Sequence, residues 1–290
     1  MDFLKNIFLG VIQGLTEFLP VSSSGHLALF KSLLHMEDVS NLYDVLLHVA
    51  TLVSICIVLR NDIMKLIMEF VGIVKDLFYN IGFFFKNLSG RNREPYYQIM
   101  STPYRRFVVL IIVSSIPTAV LGFLLNDIIG TVETELLVPG ICLIATAAII
   151  LMSDFLTEGD KKAKDATVLD AFSIGAAQGV ATLPGLSRSG TTIAACLVCG
   201  FERKFAVKYS FIMSIPAIFG ALLLKLTKIS SDSIGVVDVL SYIVGMIVAA
   251  VVGYFALIFT AKIVQKKSFK FFAVYCFGIG VVSVITYFVS

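Results

Sequence analysis

The sequence predicts an all-α integral membrane protein, an inverted-repeat helical bundle with about six transmembrane helices and two re-entrant helical hairpins. Three observations lead there. The first is composition: 58% of the 290 residues are hydrophobic and 15% charged, and the mean hydropathy is +0.92. Soluble domains hold roughly 45–50% apolar residues. Strands of alternating polarity are absent, so the membrane-spanning elements are helices rather than barrel strands. The second observation is an internal repeat. Gly10–Leu27 reads GVIQGLTEFLPVSSSGHL and Gly175–Thr192 reads GAAQGVATLPGLSRSGTT, so that a shift of 165 positions aligns Gly10 with Gly175, Gln13 with Gln178, Gly14 with Gly179, Ser22 with Ser187, Ser24 with Ser189 and Gly25 with Gly190. Internal repeats of this kind build membrane proteins with a site near the bilayer midplane. The third is the placement of Lys and Arg: alternate loops between the spans hold 19 against 4. By the positive-inside rule the rich loops are cytoplasmic and both termini are outside.

Each element follows from local pattern. A full crossing needs about 20 apolar residues. Leu42–Leu59 is the first candidate and a short one. Asp62–Lys86 is long but carries Lys65, Glu69, Lys75 and Asp76, which marks an amphipathic helix on the membrane surface. Phe107–Leu125, Leu137–Leu156, Phe205–Leu224, Val239–Thr260 and Phe271–Val289 are further spans. The two repeat copies are broken by Pro and Gly into pieces too short to cross, so they read as re-entrant hairpins enclosed by protein. Three crossings separate them, an odd number, so the halves are inverted and the hairpins dip from opposite faces and meet. The chain is then one membrane domain, 1–290, of two halves at roughly 1–156 and 157–290. The inversion requires that Asp62–Lys86 does not cross. No removable signal peptide is expected at Met1–Leu9, which lacks a basic start and a small-residue cleavage site. The net charge of +3 gives no reason to expect nucleic acid. Cys56, Cys142, Cys196, Cys199 and Cys276 all lie in apolar runs and read as small packing residues rather than a metal or redox set.

The repeat copies differ where chemistry needs them to. Glu17 aligns with Thr182, Ser23 with Arg188 and His26 with Thr191. One copy brings an acid and an imidazole, the other a guanidinium. Ionisable groups inside a membrane are costly and mark functional sites. The planar fork of Arg188 suits carboxylate or phosphate. Ser187 can cap the helix that runs on into Thr191 and Thr192, and N–H groups at that helix start favour an anion. Glu17 can bind Mg²⁺ or accept a proton, whereas Gln13 offers only a neutral oxygen or N–H. His26 is of the type that carries protons near neutral pH. Ser22, Ser23 and Ser24 offer a nucleophile beside a base. Plainer readings stand beside these. Ser24, Thr16 and Thr191 also suit close helix packing, and Glu17 with Arg188 also suits a structural ion pair. Mid-span His48 either faces the site or is accounted for by packing or one hydrogen bond, and His35 is accounted for by its place near a helix end. Asp44 either lines the cavity or caps a helix.

QGLTEFLPVSSSGH and PGLSRSGTT resemble the two signature motifs of the bacterial undecaprenyl-diphosphate phosphatase family, also called bacitracin-resistance proteins. Gln13, Glu17, Ser22, Ser23 and His26 fall on the first motif; Pro184, Gly185, Ser187, Arg188, Ser189 and Thr192 fall on the second. Motif order, spacing, length and number of spans extend the resemblance over the whole chain. It implies a cell-membrane enzyme that removes the terminal phosphate of undecaprenyl diphosphate, assisted by a divalent cation, Mg²⁺ or Ca²⁺. The lipid carrier of cell-wall precursors is thereby recycled and bacitracin resistance conferred, at a site opening to the outer face. Gln13 stands where many members have Glu, which leaves a single carboxylate in this motif. The expected catalytic set is Glu17, Ser22, Ser23, His26 and Arg188, with Gln13, Ser24, Gly185, Ser187, Ser189, Gly190 and Thr192 on the phosphates and Glu17, with Gln13, on the cation. Ser22 or Ser23 attacks or orients a water, and His26 shuttles the proton. The partners expected are the polyprenyl lipid, the bilayer and a second copy of the chain. A lipid-phosphate transporter or flippase is the alternative, because inverted repeats with broken helices also build transporters.

Overall fold

The computed structural model describes residues 2–34, 36, 41–88, 94–132, 135–157, 159–226, 236–266 and 269–289; His35 lies outside them. The described residues form α1 (Asp2–Phe18), α2 (Ser23–Leu33), α3 (Asn41–Val58), α4 (Arg60–Leu88), α5 (Pro103–Val132), α6 (Leu137–Asp154), α7 (Val168–Val180), α8 (Arg188–Val198), α9 (Arg203–Leu226), α10 (Val236–Gln265) and α11 (Lys270–Val289). Five of them, α5, α6, α9, α10 and α11, are long and apolar enough to cross a membrane. Their outward faces carry Phe123, Leu124, Phe255, Phe271 and Phe288, all exposed, as surfaces solvated by lipid require.

α3 counts as a sixth span only together with α4, from which it is bent by 91°. That bend turns α4 out of the line of the crossing. The acidic residues of α4 face back into the protein: Glu69 and Asp76 pair with Arg105 at 2.9 and 2.5 Å, and Asp62 accepts from Lys208 and Tyr104, both at 2.8 Å. Met64, Ile67, Val71, Phe78 and Phe85 are left exposed on the other side. An amphipathic arm is what the charge pattern of this stretch led one to expect.

The repeat is visible in how helices pair. α1 lies along α10 as α7 lies along α5, while α6 meets α11 and α3 meets α9. The repeated glycines explain the closeness of the first two pairs. A Cβ on Gly10 would overlap the carbonyl of Gly245, and one on Gly175 would overlap the carbonyl of Ser114. Gly14 and Gly179, one turn further on, would meet Ala249 and Leu121 in the same way. These are small residues four apart that let two backbones approach.

α1–α2 and α7–α8 are the two hairpins. Pro20 ends the first descent, and Ser22 caps α2 by accepting from the Gly25 amide at 3.3 Å. Pro184 and Gly185 turn the second; Gly185 sits at φ +91°, a region that L side chains avoid. Ser187 caps α8 by accepting from Gly190 at 3.1 Å. The five cysteines are free. Cys196 and Cys276 are buried as packing residues, but Cys56 is exposed, so packing does not describe it.

Candidate active site

The hairpin tips touch. The Gly185 amide donates to Ser24 Oγ at 3.2 Å, and Ser189 Oγ donates to the Leu19 carbonyl at 3.1 Å. A Cβ on Gly25 would sit 3.1 Å from the Gly185 Cα. α6 braces the second tip through Thr146, whose Oγ1 accepts from the Ser187 amide at 2.9 Å and donates to the Gly185 carbonyl at 3.1 Å.

Glu17, in the last turn of α1, is the centre of the contact. Its Oε1 accepts from Arg188 Nη2. Its Oε2 accepts from Gln13 Nε2 and Ser23 Oγ, both at 2.8 Å, and faces His48 Nε2 at 3.4 Å. Four groups from α1, α2, α3 and α8 thus converge on one buried carboxylate. Arg188 is tied to Glu17 through Nη2; no other hydrogen bond of its guanidinium is found among the described residues, and its side chain is 20% exposed. The rest of its fork faces a cavity of about 690 Å³ that Glu17, Ser22, Ser23, Ser24, His48, Asp44, Ser187 and Arg188 also line. Asp44 gives Oδ2 to Lys31 at 2.6 Å, while its buried Oδ1 has no partner among the described residues.

Several expected site residues stand elsewhere. His26 is 1% exposed and is not part of the cavity wall; its ring bonds to the Ser22 carbonyl and the Tyr275 hydroxyl, each at 2.8 Å. Gln13 lies behind Glu17, fully buried, and orients that carboxylate rather than facing the cavity. Thr192 donates to the Arg188 carbonyl at 2.7 Å and meets Ser210 at 2.5 Å, and so holds α8 to α9. Ser189 and Gly190 are likewise spent on the hairpin contact. The amides of Gly185, Ser187 and Gly190 are taken by Ser24, Thr146 and Ser187. In this turn the amide of Arg188, a residue on the cavity wall at the start of α8, is left to receive an anion.

The donor set does not fit a resident metal. Among the described residues no group of three or more His, Cys, Asp or Glu is arranged to hold one. Both oxygens of Glu17 are already engaged, by a guanidinium on one side and by amide and hydroxyl on the other. Hard cations need several free oxygens; Glu17, with both its oxygens engaged, offers none as it stands, and Gln13 turns its Nε2 toward Glu17.

The residues sequence reading underrated are His48 and Asp44. They are four apart, on one face of α3, a signal as legible as the Gln13–Glu17 spacing. Gln178, noted only as a repeat match, also lines the cavity and donates weakly to Thr118 at 3.4 Å.

Beyond the polar end the cavity runs between α5 and α9, past Ala119, Phe123 and Ile129 on one side and Ala217, Leu223 and Leu224 on the other. The equivalent α3–α10 seam is shut: Ser54 Oγ donates to the Ala250 carbonyl at 2.6 Å, and a Cβ on Gly253 would lie 3.1 Å from Ser54 Oγ. The repeat is therefore broken in a useful way, closed on one side and open on the other.

A membrane bundle with two opposed hairpins, one presenting a hydroxyl on a carboxylate and the other a guanidinium, defines an intramembrane enzyme with an anionic lipid substrate. The chain belongs to the bacitracin resistance protein BacA family, whose family model matches residues 6–282. Relatives named undecaprenyl-diphosphatase match it end to end. That of Methanosphaera stadtmanae is 38% identical over 98% of both chains. That of Treponema denticola is 37% identical over 97% of this chain and 96% of its own, and that of Desulforapulum autotrophicum 36% identical over the full length of both.

Proposed function

We propose that this chain hydrolyses undecaprenyl diphosphate to undecaprenyl phosphate and phosphate, which recycles the carrier lipid and underlies bacitracin resistance. The observation that carries the reading is Ser23 Oγ donating to Glu17 Oε2 at 2.8 Å on the wall of a cavity that Arg188 also faces. Ser23 is the attacking hydroxyl. Ser22 is not, because its Oγ caps α2 and its residue is 3% exposed. Glu17 takes the Ser23 proton, since a carboxylate within hydrogen-bond reach is the geometry of a general base. Arg188 holds the terminal phosphate with the nitrogens that Glu17 leaves free, and its own backbone amide adds an N–H to the same anion. The prenyl tail lies in the apolar slot between α5 and α9. A hydroxyl set on a base serves bond cleavage rather than carriage, which sets the transporter reading aside.

Among the described residues no group of three or more His, Cys, Asp or Glu would cage the divalent cation, Mg²⁺ or Ca²⁺; if bound, it would supply charge neutralisation to the diphosphate. The halves 1–156 and 157–290 form one membrane domain in the cell membrane with both termini outside. Asn126 and Leu224, at the far end of the cavity, lie at helix ends that the Lys and Arg distribution puts outside, so the site opens outward. Association with a second copy is part of the same reading.

The test is phosphate release from undecaprenyl or farnesyl diphosphate by the purified protein in detergent, with and without EDTA. Release that persists in Ser23→Ala and vanishes in Ser22→Ala would overturn the assignment of the nucleophile. No release from either substrate by the wild type would overturn the activity.

A further inference from the structure

Two histidines flank the first hairpin, and their hydrogen bonds give them opposite positions. A backbone carbonyl only accepts. His26 Nδ1 lies 2.8 Å from the Ser22 carbonyl, so Nδ1 carries a hydrogen, and Nε2 is left to accept from the Tyr275 hydroxyl at 2.8 Å. The rings of His26 and Tyr275 also stack, with centroids 5.5 Å apart. Both nitrogens are satisfied in the neutral ring, and neither reaches the cavity. His26 pins the carbonyl of Ser22, a residue with φ +68°, and so shapes the serine turn.

His48 is built the other way. Its Nδ1 lies 2.8 Å from the Asp44 carbonyl and by the same argument carries the hydrogen. The lone pair of Nε2 therefore points at Glu17 Oε2, 3.4 Å away. That is the oxygen on which Ser23 hydrogen-bonds. The ring lines the cavity, and its side chain is 27% exposed. Ser23, Glu17 and His48 thus form a line from a half-buried hydroxyl, through a buried carboxylate, to an imidazole on the cavity wall. The charged groups around it are few. Arg188 of α8 holds the other oxygen of Glu17, and Lys31 of α2 is engaged by Asp44. α9 and α10, which pack on α3, carry no charged residue between Lys208 and Lys225 or between Asp238 and Lys262.

We infer that His48, and not His26, is the relay that takes the Ser23 proton from Glu17 and delivers it to the cavity. The inference rests on the phosphatase reading above. As Ser23 Oγ bonds to the terminal phosphorus, the bond to the bridging oxygen breaks, and its electron pair leaves with undecaprenyl phosphate. The Ser23 proton passes to Glu17 and on to His48 Nε2. Water then attacks the phosphoserine; its hydroxyl goes to phosphorus and its proton to Ser23 Oγ as that bond breaks. Serine is restored, one water is consumed, and the proton on His48 leaves through the cavity. This is the one proton that diphosphate hydrolysis sets free near neutral pH. An unrelayed proton on Glu17 would remain beside Arg188 in a buried site, leaving the base occupied for the next turnover.

The experiment measures phosphate release by purified His48→Ala with and without added imidazole, beside His26→Ala. General acid–base groups contribute about 10²–10⁴-fold, so His48→Ala is expected to lose about a hundredfold in kcat, and imidazole to restore at least tenfold by occupying the vacated space. His26→Ala is expected to show no response to imidazole. His48→Gln serves if the alanine variant does not fold: its amide can still donate to the Asp44 carbonyl but cannot carry a proton, and the same loss is expected. Wild-type turnover in His48→Gln, or a loss in folded His48→Ala that imidazole leaves untouched, overturns the relay. Ser23→Ala separates this from failure of the underlying reading. Activity in Ser23→Ala sinks the serine mechanism itself, whereas inactive Ser23→Ala with fully active His48 variants sinks the relay alone.

Discussion

Replacing Glu17 by glutamine keeps the shape of the side chain and removes the one group on which both hairpins converge. The carboxylate accepts from Arg188 on one oxygen and from Gln13 and Ser23 on the other, which His48 Nε2 also faces. An amide has one acceptor oxygen and one donor nitrogen, so whichever way it turns, donors face donors on one side. It also cannot take a proton. Loss of a general base lowers the maximal rate by about 10²–10⁴-fold. Removing one partner of a buried ion pair costs about 3–5 kcal/mol. Here the cost is smaller, about 2 kcal/mol, because Arg188 is 20% exposed and can turn into the cavity. The protein therefore remains folded, and the effect is read as turnover. The assay is a Mg²⁺ titration of phosphate release by wild type and Glu17→Gln, with the melting temperature of each. The expected result is a collapsed maximum with an unchanged Mg²⁺ midpoint, since no free oxygen of Glu17 remains for a cation. A midpoint raised tenfold with the maximum retained would refute the reasoning and return Glu17 to the role of metal ligand.

Arg188→Lys keeps the charge but loses the fork that serves Glu17 and phosphate together; activity is expected to fall tenfold or more, about 1.4 kcal/mol per decade, in a folded protein, and wild-type turnover would remove Arg188 from the phosphate clamp. Thr146→Val deletes two hydrogen bonds to the PGLSRSG turn and should cost about 2 kcal/mol of stability together with part of the activity; an unchanged melting temperature would show that α6 does not brace the turn. Gly185→Ala places a Cβ on the Pro139 carbonyl at a positive φ and should abolish activity or expression, whereas normal activity would mean the turn can relax. A reporter enzyme that works only outside the cytoplasm, fused to the C-terminus, should be active; labelling of both termini from the cytoplasm would reverse the orientation.

The sequence by itself determined the membrane class, the five long spans and the two broken hairpins, because these depend on local quantities: run length, hydropathy, and where proline and glycine interrupt a helix. It also placed Glu17, Ser22, Ser23, His26 and Arg188 in one expected set without choosing between the two serines, because a repeat with unlike copies brings equivalent positions to one axis. Some site assignments needed the tertiary structure. His26 is next to the serines in the chain, yet a helix starting at Ser23 turns its ring toward α11, where Tyr275 takes it. His48 is 31 positions from Glu17 in the sequence and faces it only because α3 lies against α1. Gln13 and Thr192 match their motifs but are spent on holding other residues. The open slot between α5 and α9, beside a closed seam between α3 and α10, has no local signature. It arises from the packing of four helices at once: Ser54 and Gly253 let α3 and α10 close, while α5 and α9 are joined through Ser114 and Tyr209 and hold the cavity between them further along.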